Sequence, residues 1–220
     1  ANGSYETDFQ IGQSRSLIQQ RQKIQAELNK LSLLLDYEEW VKRSQEKKSQ
    51  KEIPSIEWEK PLMQTQIENL PSLQYRIENL LSNRAKVYSQ INLAKSLMKL
   101  SSMREQTSLI YQKAGKVEDN RLLSSYNIEQ ILYKAAEQAK ELKDKRAQSN
   151  ALGYLGRYLY ERSEQLPNNE KLTKNKLLQD SYNRTKKAIL LTEEIDEKGQ
   201  NFTKTKYTKD LVYQWEWQLG

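Results

Sequence analysis

Adjacent carboxylates are the residues of this chain whose type and spacing come closest to a catalytic pair. Glu38 and Glu39 stand side by side, and so do Glu193 and Glu194. Two carboxylates act as general acid and base only when both face the same bond of a substrate. Neighbouring residues of a helix point about 100° apart, so neither pair shares one site. We interpret both pairs as solvated helix surface.

Cysteine and histidine are both missing from the 220 residues. Their absence removes thiol nucleophiles, imidazole bases, disulfides and the usual zinc ligands. No glycine-rich phosphate loop follows a strand, and no Ser-Lys motif stands out from its surroundings. The sequence therefore predicts no catalytic residue, no cofactor and no metal site, and we expect this segment not to be an enzyme.

The formal net charge of +7 and the pI near 9.3 raise the question of an anionic partner. Basic and acidic residues are interleaved, however, as in Lys140, Glu141, Lys143, Asp144, Lys145 and Arg146. Such interleaving favours solvated helix faces over a stripe that follows phosphates. The alternative of a basic helical module that binds nucleic acid or an anionic surface stays open, and it predicts an affinity that falls steeply with salt.

No apolar run reaches the roughly 20 residues that a membrane span requires. We therefore expect no transmembrane segment and a cytoplasmic protein. The chain begins at Ala1 without Met, so a trimmed N-terminus would also fit a periplasmic or secreted protein.

The composition indicates helices that stack and not a spherical domain. Mean hydropathy is −0.93 and hydrophobic residues make up 36%, which is little for a single core of this length. Helices in an elongated stack need less apolar surface, because each layer covers only its neighbours. With 7 Gly and 4 Pro in the chain, we predict an all-α fold.

Apolar residues recur at helical spacing along most of the chain. They predict helices over residues 5–35, 37–48, 84–100, 122–143, 146–163 and 176–195, and a last helix from about Thr208. Asn83 is the expected N-cap of one helix, and Pro61 and Pro71 mark helix starts or bends. Pro167 is expected to open a loop of about ten residues. The predicted core side chains of helix 176–195 are Leu177, Leu178, Tyr182, Ala188, Leu191 and Ile195.

Bulky and small residues stand side by side in three of these helices, as Leu93-Ala94, Leu155-Gly156 and Leu219-Gly220. Two further segments, AAEQAKEL at 135–142 and AILLTEEI at 188–195, align with each other as second helices. Small side chains let two helices approach closely, so this order predicts antiparallel pairs that stack as repeats. We expect residues 1–80 to form an N-terminal helical segment, a long helix plus shorter ones, and residues 81–220 to form the repeats, truncated inside the last helix.

This order of helices resembles the tetratricopeptide repeat (TPR). More narrowly, residues 81–100, 144–161 and 213–220 resemble the TPR region that precedes a caspase-like CHAT domain in large cyanobacterial proteins. The resemblance covers about residues 80–220 and implies a TPR-like α-solenoid of antiparallel helix pairs preceded by a long N-terminal helix. It also implies a protein–protein interaction scaffold that regulates or positions a downstream CHAT peptidase-like domain. The His and Cys of such a domain do not lie in this chain, so peptidase activity would belong to that domain.

The resemblance implies a concave groove, lined by the first helix of each pair, as the surface that binds a protein or peptide. The groove candidates are Asn150, Arg157, Tyr160 and Glu161 around Gly156, and Tyr88, Lys95, Met98 and Lys99 around Ala94. Aromatic, amide and cationic groups together suit an extended peptide or a partner helix. Arg157 stands where the carboxylate clamp of chaperone-binding repeats needs Asn, so we expect no chaperone-tail binding. Ordinary surface and packing between repeats is the alternative for each residue.

Three features depart from the family pattern or bear on the end of the chain. TPR second helices often carry Ala where this chain has Ser181, and the loop at 162–175 is longer than usual, so we expect a looser second layer. Trp215 and Trp217 are interpreted as core residues and not as a ligand platform. We expect a further helix beyond Gly220 to cover them, and a chain extended by one repeat to be more stable.

Overall fold

The computed structural model describes residues 2–47, 59–103, 125–198, 214–216 and 218. Within these ranges the regular secondary structure is helical and includes no strand, so the prediction of an all-α protein is confirmed there. No helix among these residues is both long and apolar enough to cross a membrane. The chain divides into two compact units, Ala1–Leu80 and Leu81–Gly220.

The first unit is built on one long helix, α1 (Asn2–Lys47), of 46 residues. The predicted separation into helices 5–35 and 37–48 is wrong, because no glycine or proline interrupts residues 13–47 and Asp36 continues the helix. A stripe of large aliphatic side chains at helical spacing is buried, and it consists of Ile24, Leu28, Leu31 and Leu35.

Two short helices, α2 (Glu59–Glu68) and α3 (Leu70–Glu78), pack against α1. They derive from a tandem repeat of ten residues, PLMQTQIENL at 61–70 and PSLQYRIENL at 71–80, which sequence reasoning missed. Both copies use equivalent positions in the same way. Each proline lies in the first turn of its helix. The same hydrogen bond, of 3.1 Å, joins Gln64 to Glu68 and Gln74 to Glu78. The buried side chains of the two copies are Met63, Ile67 and Leu70, and Leu73, Ile77 and Leu80.

An ion pair joins α3 to α1 beside this apolar layer. The Arg76 guanidinium donates through Nη1 to Glu27 Oε1 at 2.9 Å and through Nη2 to Oε2 of the same carboxylate. The two side chains are 25% and 27% exposed, so the pair is mostly screened from water. The hydrogen bond to Glu27 raises the pKa of Arg76 above its ordinary value, and Arg76 therefore stays charged.

The described residues of the second unit include four long helices, α4 (Arg84–Ser102), α5 (Ser125–Glu141), α6 (Lys145–Glu164) and α7 (Lys171–Lys198). Residues 214–216 and 218 are also helical. Each of the four packs on the next in this order, and α4 also contacts α6. The cluster of buried residues at the centre comprises Val87, Ile91, Ala135, Ala136, Ala139, Ala147, Ala151, Leu152, Ala188 and Trp215. As predicted, Asn83 caps α4, and its side chain accepts a 3.1 Å hydrogen bond from the Lys86 backbone N–H.

A three-residue turn joins α5 to α6, and Asp144 serves both helices. Lys143 has a φ of 53°, the left-handed conformation that ends many helices. The Asp144 N–H then donates to the Ala139 carbonyl at 2.9 Å and closes α5. Asp144 Oδ1 accepts from the Ala147 N–H at 3.0 Å and caps α6, while Oδ2 contacts Arg84 Nε of α4 at 3.1 Å. One residue therefore ties three helices together, α5 through its backbone N–H and α4 and α6 through its side chain.

Asp144→Ala is expected to destabilise the Leu81–Gly220 unit by about 1 kcal/mol through loss of the cap. The ion pair adds little, because the Arg84 side chain is 72% exposed. Urea unfolding followed by circular dichroism measures the change. Asp144→Asn keeps a capping oxygen and serves as the control. It should lose less than half as much, and equal losses for both variants would assign the effect to the charge.

Helix α7 differs from its sequence-based prediction in both length and buried face. It begins at Lys171 and not at 176, so only Gln165–Glu170 separate it from α6, and the expected long loop is wrong. The first turns carry no apolar core side chain, since Leu172 is 88% exposed, and periodicity therefore gave no signal there. Between residues 171 and 192, the buried positions are Ser181, Thr185, Ala188 and Thr192. Tyr182, predicted to be core, is 48% exposed, and Leu177, Leu178 and Leu191 are half-buried. The last predicted core residue, Ile195, is helical.

Candidate functional site

Helix α6 is the centre of the candidate site, and small or hydroxyl side chains set its distance from α7. Ser181 Oγ of α7 donates to the Gly156 carbonyl of α6 at 2.8 Å. About two turns earlier on α6, Ser149 Oγ contacts the Ala188 carbonyl at 2.8 Å and Thr192 Oγ1 at 2.9 Å. The three hydroxyl side chains are buried. Because buried hydroxyls with partners specify one geometry, we expect α6 and α7 to form a rigid pair.

The helical residues 214–216 and 218 pack on the same helix. Trp215 is fully buried, and its ring lies against Gly153, where an added Cβ would be 2.4 Å from the indole. Tyr154 meets the same indole edge-on, with ring centroids 5.3 Å apart. Gln218 Nε2 donates to Thr185 Oγ1 of α7 at 2.8 Å. The interpretation of Trp215 as a core residue is confirmed, whereas Trp217 lies outside the described residues.

A cation extends this aromatic contact to α4. Lys95 Nζ lies 5.0 Å from the centroid of the Tyr154 ring, within the range of a cation–π interaction. Lys95 of α4, Tyr154 of α6 and Trp215 near the C-terminus thus form a line across three helical segments. We call it the Lys95–Tyr154–Trp215 row.

The predicted groove residues of α6 lie mainly at the surface. Arg157 and Tyr160 are exposed, and Glu161 and Asn150 are half-buried. Arg157 Nε donates to Glu161 Oε1 at 2.7 Å, one helical turn away. An exposed pair of this spacing contributes about 0.3–0.5 kcal/mol, so either partner can exchange the other for a ligand group at little cost.

The predicted groove residues of α4 are less accessible. Tyr88 is half-buried and packs against the central cluster, and Lys95 and Lys99 are half-buried. Met98 is only 7% exposed and belongs to the core. Met98 therefore offers little surface to a partner, and Lys95 is the residue of this set that the structure brings to Tyr154.

A cleft lies between α5, α6 and α7, apart from the predicted groove residues. It has a volume of about 200 Å³ and is lined by Glu129, Gln130, Tyr133, Leu155, Leu159, Asp180 and Arg184. Two of its charged groups, Glu129 and Arg184, have contacts within the unit. Arg162 Nη1 of α6 donates to Glu129 at 3.0 Å, and the Arg184 guanidinium lies 6.0 Å from the Tyr133 ring centroid. Leu155 is two residues from Arg157, so the cleft and the predicted groove lie on different sides of α6.

Sequence reasoning missed Tyr154 and the cleft for different reasons. Tyr154 follows Gly153 and precedes the Leu155-Gly156 pair, so its place beside the small positions was a usable signal. The cleft combines residues from three helices that no spacing rule connects. No group of three or more metal-ligating side chains occurs in the parts of the chain that the structure covers.

Comparisons with known proteins gave no match. No protein-family model matches the chain, and neither the curated proteins nor the solved structures contain a significant relative.

Proposed function

We propose that the Leu81–Gly220 unit is a non-catalytic, TPR-like scaffold that binds a protein or peptide on the α6 face carrying Arg157. The order of helix contacts supports this proposal. If α4 with α5 and α6 with α7 are two successive pairs, each pair packs internally and the two first helices, α4 and α6, also meet. Stacked repeats make contacts of this kind with their neighbours. Ala135, Gly156 and Ala188 are all buried, as close packing of such pairs requires.

The Lys95–Tyr154–Trp215 row is the observation that carries the proposal. It connects what would be the first helices of three successive pairs through ring and cation contacts. A surface supported in this way is ordered before a ligand arrives, so a docking peptide loses less entropy than it would on a flexible surface.

The chemistry of the exposed groups indicates the class of ligand. Arg157 provides a bidentate donor for carboxylates, and Tyr160, 45% exposed, provides a flat amphipathic surface. Lys95 adds a second cation. An extended peptide or partner helix that carries acidic and apolar side chains fits these groups. If the resemblance to the TPR region of CHAT-domain proteins holds, this scaffold would position or regulate a CHAT peptidase-like domain that follows it.

A peptide-display selection against the folded chain tests the proposal. We expect enriched peptides to be acidic, and Arg157→Glu to weaken their binding by about tenfold, because a charge-assisted contact is replaced by repulsion. Lys134→Glu, an exposed lysine on α5, makes the same charge change away from this face and should leave binding unchanged. Equal effects of the two substitutions would contradict a site at Arg157.

The alternative function, binding of nucleic acid, is tested by measuring the affinity of the same protein for duplex DNA at several salt concentrations. Binding to duplex DNA that weakens by about 0.9 log unit per log unit of salt for each phosphate contacted would support a nucleic-acid module instead. The Arg157–Glu161 pair and the Arg162–Glu129 pair place carboxylates beside these cations, which favours the protein ligand.

A further inference from the structure

Helix α1 exposes large apolar side chains on the side away from its buried stripe. Ile18, Leu33 and Trp40 are 52%, 70% and 56% exposed. Leu33 follows Ile24 of the buried stripe by nine residues, which is two and a half turns, so the two side chains point in opposite directions. Helices α2 and α3 bury the other side and cannot cover this one.

These residues belong to a continuous second stripe at spacings of three and four. We call it the outer stripe, and it consists of Ile18, Gln22, Ala26, Asn29, Leu33, Tyr37 and Trp40. Tyr37 and Trp40 are in contact, with ring centroids 5.8 Å apart. A helix with apolar stripes on two sides typically buries the second one against another helix.

The charges beside the outer stripe select its partner. On the flanks of the outer stripe between Ile18 and Asn29, the charged residues are Arg21 and Lys23, because Glu27 pairs with Arg76 of α3 on the other side of the helix. Between Asn29 and Trp40, they are Lys30, Asp36 and Glu39, because Glu38 lies nearly four full turns after Ile24 and shares its side. The first half is therefore net basic and the second half net acidic. A second copy of α1 running antiparallel brings the basic half of each helix against the acidic half of the other, whereas a parallel copy brings like charges together.

The side-chain sizes agree with the same antiparallel arrangement. With Asn29 opposite Asn29 of the second copy, Ile18 lies opposite Trp40, and the small Ala26 lies next to the large Leu33. Asn29 Oδ1 already accepts a 2.7 Å hydrogen bond from Gln25 Nε2, which leaves the Asn29 amide group to donate across the axis. The two Asn29 amide groups can reach each other only in this register, so a hydrogen bond between them would select it. We propose that the chain forms an antiparallel homodimer through the outer stripe of α1, with its two-fold axis at Asn29.

Mass measurements by sedimentation equilibrium on the full chain test dimerisation. We expect twice the 26.0 kDa chain mass for the wild type. Leu33→Glu should weaken dimerisation about 100-fold, because two buried leucines are lost for each dimer. Leu172→Glu on α7, at a leucine that is 88% exposed, is the matched control and should remain dimeric. A wild type that stays at the chain mass, or equal effects of the two variants, would overturn the proposal.

The absence of native cysteine allows a test of orientation. In single-cysteine variants, Asn29→Cys should cross-link to itself on oxidation. Ile18→Cys should cross-link only when mixed with Trp40→Cys, because these positions meet across the axis. Ile18→Cys that cross-links to itself would indicate a parallel pair and contradict the arrangement, as would an Asn29→Cys chain that remains uncross-linked. Circular dichroism of each variant, with helicity equal to the wild type, shows that the comparison is between folded chains.

Discussion

Gly153→Ala is expected to destabilise the Leu81–Gly220 unit by about 2 kcal/mol, although alanine is intrinsically the better helix residue by about 1 kcal/mol. The added methyl group would lie 2.4 Å from Cε2 and Cζ2 of Trp215. The indole is fully buried and in edge-on contact with Tyr154, so it has no free space into which it can move. The expected result is displacement of the helical residues around Trp215 from α6.

Urea unfolding and tryptophan fluorescence measure this effect. Displacement of Trp215 into water should shift its emission to longer wavelength, and the midpoint of unfolding should fall. The matched control is the same substitution in a Trp215→Ala background, where the clash no longer exists. There Gly153→Ala should be neutral or stabilising, and an equal loss in both backgrounds would show that Trp215 is not the cause.

Gly156→Ala is expected to cost about 2–3 kcal/mol, because α7 lies directly against this position. The new Cβ would be 2.3 Å from Thr185 Oγ1 and 3.0 Å from the Ser181 backbone carbonyl. Rotation of the Thr185 side chain can relieve the first contact. Only a shift of α7 can relieve the second, and that shift would stretch the hydrogen bond from Ser181 Oγ to the Gly156 carbonyl.

A Thr185→Ala background separates these two contacts. It removes the closer atom, so Gly156→Ala should cost less there but still remain unfavourable because of the Ser181 carbonyl. Free energies of unfolding from urea titrations give the comparison. Full recovery in the Thr185→Ala background would show that the α7 backbone does not limit the approach of the two helices. A neutral Gly156→Ala in the wild-type background would contradict the close packing itself.

The positions of close helix approach were predictable from the sequence, because they depend on residue size at regular spacing. Gly156 and Ala188 are buried where the pairing of small and bulky residues placed them. Asn83 and Asp144 mark helix starts through a local hydrogen bond that reaches only three residues along the chain. Signals of this kind need no knowledge of the fold.

The buried face of α7 was not predictable in this way. Periodicity assigns large apolar residues to the core, but the side chains that meet α6 include Ser181, Thr185 and Thr192. Their hydroxyl groups are satisfied by Gly156, by Gln218, and by Ser149 with the Ala188 carbonyl. Gly156 and Ser149 lie on α6 and Gln218 lies near Trp215, and only the Ala188 carbonyl, four residues before Thr192, lies on α7 itself. The expectation of a looser layer at Ser181 overlooked that a hydroxyl can replace a methyl group when an acceptor is within reach.

The contacts of the Lys95–Tyr154–Trp215 row could not be predicted from the sequence either, although two of its residues had predicted roles. Lys95 was predicted as a groove residue and Trp215 as a core residue. Both contact the Tyr154 ring, Lys95 with its ammonium group and Trp215 with its indole. Spacing within a helix predicts which residues share a face. It does not predict which residue of α4 meets which residue of α6, because that depends on the offset between two helices.

The ten-residue repeat at 61–80 makes α2 and α3 two equivalent modules that pack on α1. Each copy has its own proline in the first turn, its own Gln–Glu hydrogen bond and its own three buried side chains. The helix of one copy therefore depends little on contacts with the other copy. Insertion or deletion of a whole copy would change how much of α1 is covered while leaving the remaining copy in its own environment. A shift by a fraction of a copy would instead put polar side chains onto α1, so we expect length variants to keep this fold only when they differ by whole copies.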